Sequence, residues 1–397
     1  MFPTLYHFLF DLAGISLPFL KVVNTFGFFV ALSIGAAYWA MSTEFARKTL
    51  SGDFAKVKVK QVTGIGVDRS EYLINGLMSF VFGYKILYLM VETGDGFSPQ
   101  DHVFSTEGSW LFGIGAMAFS LWRTWVADKK QRRETPSETI VEMDASVRMS
   151  NITTIALLSG FLGAKVFHLL ETPSEIHWET LLVDLLTSGG WTFYGGLICG
   201  AAGVIWYTQK HGMHWRHVFD AGGPAMMLSY GLGRFGCHFS GDGDWGIANV
   251  KPNPGLPDWA WAYKYPHNVL GKDYASAGME MIPGCSGEYC YQLSVPVYPT
   301  PLYEALMALG LFALLWFVLR KWSLAPFQLF SAYMMMAGLE RMLIESIREH
   351  GESLYDVAGL SFSQAQMISL ALMLFGVSGW IWSGRNPIKP RLESSAD

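Results

Sequence analysis

Three stretches hold the residues best suited to chemistry. "LSYGLGRFGCHFSGDGDWGI" (residues 228–247) sets Arg234, Cys237, His238 and two aspartates among six glycines between Gly231 and Gly246. "YPTPLYE" contributes Tyr303 and Glu304, and "RMLIESIRE" spaces Arg341, Glu345 and Arg348 at i, i+4, i+7. That spacing puts the last three on one helix face. Arginine suits bidentate phosphate recognition, and glycines let backbone N–H groups approach an anion closely. A carboxylate such as Glu345 would hold a guanidinium in place and partly neutralise it before a ligand arrives. A phospholipid headgroup fits this set. The plainer reading is that the ion pairs staple helices and the glycines serve close helix packing.

The elements that must position these residues are membrane spans. The 397 residues are 51% hydrophobic and only 15% charged, with mean hydropathy +0.26. Soluble domains carry about a quarter charged residues. Apolar blocks long enough to cross a bilayer as helices fall at 20–43, 73–91, 109–126, 150–170, 191–208, 220–239, 301–319, 327–347 and 363–383. Alternate connections hold nineteen Lys and Arg on one side and four on the other. By the positive-inside rule the N-terminus lies outside and the C-terminus in the cytoplasm. The first lysine is Lys21, so no basic stretch precedes an apolar run as in a signal peptide. The opening residues read instead as a short amphipathic segment on the outer surface.

With this topology the ends of five spans meet at the outer leaflet. They bring Arg234 and His238, then Arg341, Glu345 and Arg348, then Tyr303 and Glu304. Tyr194 with Gly195 and Gly196 in "WTFYGGLICG" lie at the same level, as do Lys165 and His168. Ionisable groups inside spans are costly, so each is a functional candidate. Outside the spans, "FAKVKVKQV" (54–62) alternates like a short cytoplasmic strand, its lysines either solvated or resting on anionic headgroups. "KKQRRETPSETIVEMD" (129–144) reads as a solvated linker. In the outer loop 240–300, Cys285 and Cys290 suit a disulfide on an oxidising face, whereas a metal site needs further ligands that the loop does not place. Cys199 reads as packing.

The three stretches resemble the prolipoprotein diacylglyceryl transferases. Residues 220–246 are similar to that family's Asp-Ala-x-x-Pro stretch followed by Gly-Arg-x-Gly-Asn-Phe and a Gly-acid pair. "YPTPLYE" is similar to its His-Pro-x-x-Leu-Tyr-Glu, and "RMLIESIRE" to its Arg-x-x-x-Glu-x-x-Arg. "FYGGLICG", "GAKVF" and "LSFSQAQMISL" add weaker support, and the likeness covers the first span and roughly 150–383.

The resemblance implies an all-α polytopic membrane protein with a seven-helix transmembrane core, an extracytoplasmic head loop and, here, an inserted transmembrane hairpin over 73–126. The corresponding division is 1–43 (outer segment and first span), 44–149 (basic loops and hairpin) and 150–239 (core spans). The head loop 240–300, core spans 301–383 and cytoplasmic tail 384–397 follow. It implies transfer of a diacylglyceryl group from phosphatidylglycerol to the lipobox cysteine of preprolipoproteins in the bacterial inner membrane, with membrane lipid as surroundings. No cofactor, metal or nucleic acid is implied.

By the resemblance Arg234 is the leading phosphate clamp, Arg341 the second, and Glu345 orients Arg341. The loop Gly241–Gly246 with Asp242 shapes the headgroup pocket, which Gly195, Gly196, Cys237, Tyr303, Glu304 and Arg348 help to line. The sequence also departs from the pattern. The family histidine before the Gly-Gly pair is Tyr194 here, and the signature asparagine is Cys237. An extra residue stands between the Gly-acid pair and the closing glycine, and Trp-Tyr-Gly near the first span becomes Thr25-Phe26-Gly27. A phenol, ionising at about 10, is a poorer base at neutral pH than an imidazole. The proton acceptor is therefore open between Tyr194 and His238, with Cys237 as a covalent nucleophile a remoter alternative. Competing functions are a transporter, a non-catalytic lipid- or lipoprotein-binding relative, and another headgroup enzyme. A transporter's charges should lie near the midplane of two repeated halves, whereas these gather at one face.

Overall fold

The computed structural model describes residues 1–88, 107–132, 137–173, 192–270, 278–286, 289–348, 354–357 and 360–388. Parts of the expected connections 92–109, 171–190, 240–300 and 346–362, and most of the tail 384–397, lie outside them. So do residue 191 and residues 89–91 of two expected spans.

Every expected span contains a helix. After the short helix α1 (Leu5–Ala13) come α2 (Thr25–Leu50), α3 (Arg69–Phe82), α4 (Trp110–Gln131) and α5 (Met149–Glu171). Then follow α6 (Phe193–Lys210), α7 (Trp215–Ser240), α8 (Thr300–Ala313), α9 (Gln328–Glu345) and α10 (Gln364–Arg385). Among the described residues four helices are long and apolar enough to cross a membrane: α2, α5 with the turn before it, α8 with its continuation to Lys321, and α10. The protein is thus a mostly helical, multi-pass membrane protein. Charged side chains add to the polarity of two of the other helices. Arg216, Asp220 and Arg234 lie within α7, and Glu340, Arg341 and Glu345 within α9.

Helix α7 is central. It packs along α2 and α8, and also meets α9 and α6, while α5 pairs with α6 and α9 with α10. Small residues allow these approaches. A Cβ on Gly163 would stand 2.5 Å from the Gly195 carbonyl oxygen, and one on Gly236 3.1 Å from the Phe29 Cβ. Met227, Ala308, Leu315 and Ala332 are buried where α7, α8 and α9 meet. Toward the start of α7, Asp220 accepts backbone N–H bonds from Phe327 (2.8 Å) and Phe330 (3.0 Å) at the start of α9. A carboxylate there satisfies donors that a helix start leaves unpaired.

Alternating residues over 54–62 form β1 (Val57–Thr63), whose antiparallel partner is β2 (Ser137–Met143), in register from Val57 against Met143 to Thr63 against Ser137. The linker 129–144 is therefore not simply solvated coil. Its "SETIVEM" alternates too, and cross-strand ion pairs Lys60–Glu138 (2.8 Å) and Lys56–Glu142 (3.7 Å) join the strands. The ladder ties α2 and α5 to the ends of the hairpin α3–α4. In the head loop, β3 (Met279–Met281) pairs with β4 (Tyr291–Leu293) over Tyr265, Val297 and Trp245. Cys285 and Cys290 are disulfide-bonded, with Cα atoms 5.6 Å apart.

Candidate active site: an arginine trio held by one carboxylate

Glu304 is the hub. It sits one turn into α8, fully buried, because α8 starts at Thr300 and its first turn lies under the head loop. Its Oε2 is 2.9 Å from Nε of Arg234 on α7, and its Oε1 is 3.4 Å from Nη1 of Arg341 and 3.3 Å from Nη1 of Arg348. Three cations, from α7, from α9 and from the segment just after α9, thus converge on one carboxylate. Two more carboxylates complete the set. Glu345 pairs with Arg341 at 2.7 Å across one helical turn, and Asp244 pairs with both Arg234 and Arg348.

Each anchor is itself held. Ser363, the N-cap of α10 and half of a capping box, donates its hydroxyl to Glu345 at 2.7 Å. The Thr300 hydroxyl donates to the Asp244 carbonyl at 3.2 Å. Gly246 lets the loop reach α9: its N–H donates to the Tyr298 carbonyl at 2.9 Å, and it forms an antiparallel bridge with Arg348. A Cβ there would lie 2.4 Å from the Ile347 carbonyl oxygen, so only glycine fits. Gly241 ends α7 in the left-handed region at φ 68°, and its N–H closes onto the Cys237 carbonyl at 3.0 Å. The Arg234 guanidinium also lies over the Tyr230 ring one turn back, 5.3 Å from its centroid.

Arg234, Glu304, Arg341, Glu345 and Arg348 therefore come together, although Arg348 does so from the segment after α9 and not from the helix face that its spacing suggests. The other expected site residues are placed differently. Tyr303 donates its hydroxyl to the Ala260 carbonyl at 2.7 Å and so pins the head loop. Gly195 and Gly196 face α5, where a Cβ on Gly195 would be 2.4 Å from the Phe167 Cβ. Tyr194 is 46% exposed, its ring 5.9 Å from that of Phe193. His238 is buried, with Nδ1 3.3 Å from the Tyr265 hydroxyl and the Tyr263 ring nearby. Burial pushes the phenols of Tyr263 and Tyr265 up, that of Tyr263 to about 12. Cys237 contacts the Asp242 carboxyl, whose pKa burial raises, against the pull of Cys237 and Arg234.

Asp244 was not singled out from the sequence. "GDGDWG" holds two Gly-acid pairs, and it is the second that reaches the arginines, while Asp242 faces Cys237. Tyr230, one turn before Arg234, was also missed, although i−4 spacing on a helix is a usable signal.

Within the ion pairs three guanidiniums meet three carboxylates, and the Glu340 and Asp242 carboxyls lie close by. Burying such a network is expensive and worthwhile only with good geometry. All three arginines stay partly accessible, and Arg341, at 28%, is the most open.

A family model, prolipoprotein diacylglyceryl transferase, matches residues 110–382. The chain belongs to that family. The match runs from α4 through nearly all of α10, and so contains every member of the arginine network. Among relatives, a phosphatidylglycerol–prolipoprotein diacylglyceryl transferase of Stenotrophomonas maltophilia is 29% identical over 259 residues, covering 62% of this chain and 81% of the relative. Proteins of the same name from Methylibium petroleiphilum and Xylella fastidiosa are 28% and 26% identical. Those alignments cover 58% and 62% of this chain, and 74% and 80% of the relatives. In this transferase-family chain α2 and α3 precede the matched region.

Proposed function

We propose that the protein transfers the diacylglyceryl group of phosphatidylglycerol to the cysteine thiol of a preprolipoprotein lipobox. A C–S bond forms at the glyceryl carbon, the C–O bond to phosphate breaks, the thiol proton passes to a base, and glycerol phosphate leaves. The observation that carries this reading is the Glu304-centred arginine trio, set beside the names of the relatives.

Arg234 and Arg348 are the first phosphate ligands, and the phosphodiester takes the place of the Asp244 carboxylate between them. Arg341, oriented by Glu345, stabilises the charge that grows on the departing phosphate. Preorganised donors at developing charge supply much of an enzyme's rate enhancement. Gly241, Gly246 and Asp242 shape the loop over the headgroup, and Tyr303 pins that loop from the head side. Cys237 lies beside Asp242 at the pocket wall, and Gly195 and Gly196 act through close α5–α6 packing. The proton acceptor is His238 or Tyr194. His238 lies one turn beyond Arg234 on α7, whereas Tyr194 offers an accessible phenol.

We place the chain in the bacterial inner membrane with its N-terminus outside, seven helices as the core and α3–α4 as an inserted hairpin. The domain limits 1–43, 44–149, 150–239, 240–300, 301–383 and 384–397 follow that reading. The excess of Lys and Arg in alternate connections supports it.

The test is turnover by the full-length protein given phosphatidylglycerol vesicles and a lipobox peptide, with mass spectrometry for the thioether and an assay for glycerol phosphate. Thioether that disappears in Arg234→Ala supports the reading. Lipid binding without thioether would leave a binding protein instead. Tyr194→Phe and His238→Ala, run beside them, separate the two bases.

A further inference from the structure

The hairpin α3–α4 carries a feature that the transfer reaction does not use. A cleft of about 710 Å³ runs between its two helices. One wall is the α3 stripe Glu71, Asn75 and Ser79, at i, i+4, i+8; the other is the α4 stripe that includes Gly115, Ser120 and Arg123. The Ser120 hydroxyl donates to the Asn75 carbonyl at 3.4 Å, which fixes the relative level of the walls. Glu71 and Arg123 then stand near one level, toward the inner end. Among the described residues neither forms an ion pair with the other or with the rest of the chain.

Elsewhere the hairpin surface is apolar and exposed, with Leu73, Leu77, Trp110 and Trp122 outward. Those side chains suit lipid tails. The cleft mixes apolar residues such as Phe112 and Phe119 with Asn75, Ser79, Ser120, Glu71 and Arg123. Those amide, hydroxyl and charged groups are costly against hydrocarbon, whereas polar side chains between helices act as adhesive.

We propose that this cleft is an interface to a second copy of the same chain, the two hairpins facing each other across a two-fold axis along the membrane normal. Two copies inserted with the same topology must lie parallel, and such an axis sets α3 of one against α4 of the other. It keeps every residue at its own depth. Glu71 then meets Arg123 of its partner and Arg123 meets the partner's Glu71, two ion pairs from one complementary face. The space above Gly115, where no atom lies within 4 Å of an added Cβ, admits the close helix approach that such contacts need. The inference rests on the hairpin being membrane-embedded and is independent of the transfer reaction.

The experiment is native mass spectrometry of the full-length protein released from nanodiscs, for wild type, Glu71→Arg, Arg123→Glu and the double exchange. The proposal expects dimers in wild type. Each single exchange sets like charges opposite each other and should reduce the dimer fraction at least tenfold. The double exchange restores opposite charges and the dimer, which a misfolded hairpin would not. A monomeric wild type, single variants that dimerise as wild type does, or a double variant no better than the singles would each overturn it.

Discussion

The Arg234 Nε stands 2.9 Å from Oε2 of a fully buried Glu304. A guanidinium on α7 is thereby fixed by a carboxylate on α8, two helices that pack along each other. The carboxylate is shared with Arg341 and Arg348, so it orients three cations at once. Glu304→Gln should lower kcat/KM for lipid by about 10²-fold or more, as expected for losing preorganised electrostatics. It should also destabilise the fold by about 3–5 kcal/mol, the range for breaking a buried pair. A thermal melt beside the turnover assay measures both. Full activity in Glu304→Gln would remove the hub from the mechanism.

Asp244 gives a prediction of opposite sign. Its carboxylate occupies Arg234 and Arg348, so an arriving phosphodiester must compete with it. Asp244→Asn removes the competing charge while keeping the side chain's size. Inhibition by glycerol phosphate should tighten about five- to tenfold, equivalent to about 1–1.4 kcal/mol. Asp242→Asn, which alters the Cys237 contact and leaves both Asp244 pairs in place, should tighten that constant less than Asp244→Asn does. Equal effects from both would show that Asp244 is no placeholder.

Much of this site is legible in the sequence, for a physical reason. Arg341 and Glu345 share a face of α9 one turn apart, so local periodicity places that pair together. The helix ends at Glu345, and Arg348, expected on the same face, instead reaches the site from the segment beyond, bridged to Gly246. Spans make the ends of α7, α8 and α9 coplanar, which brings in Arg234 and Glu304. What periodicity does not carry is loop geometry. Whether Asp242 or Asp244 reaches the arginines depends on turns at Gly241 and Gly243, both at positive φ, and on the bridge from Gly246 to Arg348. Likewise Gly195 and Gly196 match a motif, yet their surroundings depend on which helix packs on α6. The partner of β1 lay hidden because "SETIVEM" follows a run of charges that reads as linker.

The Asp242 carboxyl supplies a pH signature. Burial raises its pKa above the ordinary 3.8, so the folded state holds the proton over a window where the unfolded chain has lost it. The folded state binds more protons there, and stability falls as pH rises through that window. Above the folded value the penalty is constant. Asp242→Asn, with nothing to ionise, should therefore lose less stability than wild type as pH is raised from about 4. Melting temperatures of both proteins across pH check this, and parallel curves would exclude a proton on Asp242.

Two glycines separate steric necessity from motif likeness. At Gly246 an added Cβ would lie 2.4 Å from the Ile347 carbonyl oxygen, a backbone atom that cannot move without shifting Arg348. Gly246→Ala should therefore reduce turnover at least tenfold through the displaced guanidinium, with a modest fall in melting temperature. At Gly195 the obstacles are the Phe167 Cβ at 2.4 Å and the Gly163 carbonyl oxygen at 2.5 Å, both on α5. Gly195→Ala should push α5 and α6 apart and cost about 1–3 kcal/mol, as overpacking does. Its remaining folded fraction should bind phosphate as wild type does, because neither obstacle belongs to the arginine trio. Gly222, with nothing within 4 Å of an added Cβ, is the control and should accept alanine without loss of either property. Turnover per folded molecule decides the matter: a deficit in Gly195→Ala equal to that in Gly246→Ala would make Gly195 part of the pocket rather than of the helix packing.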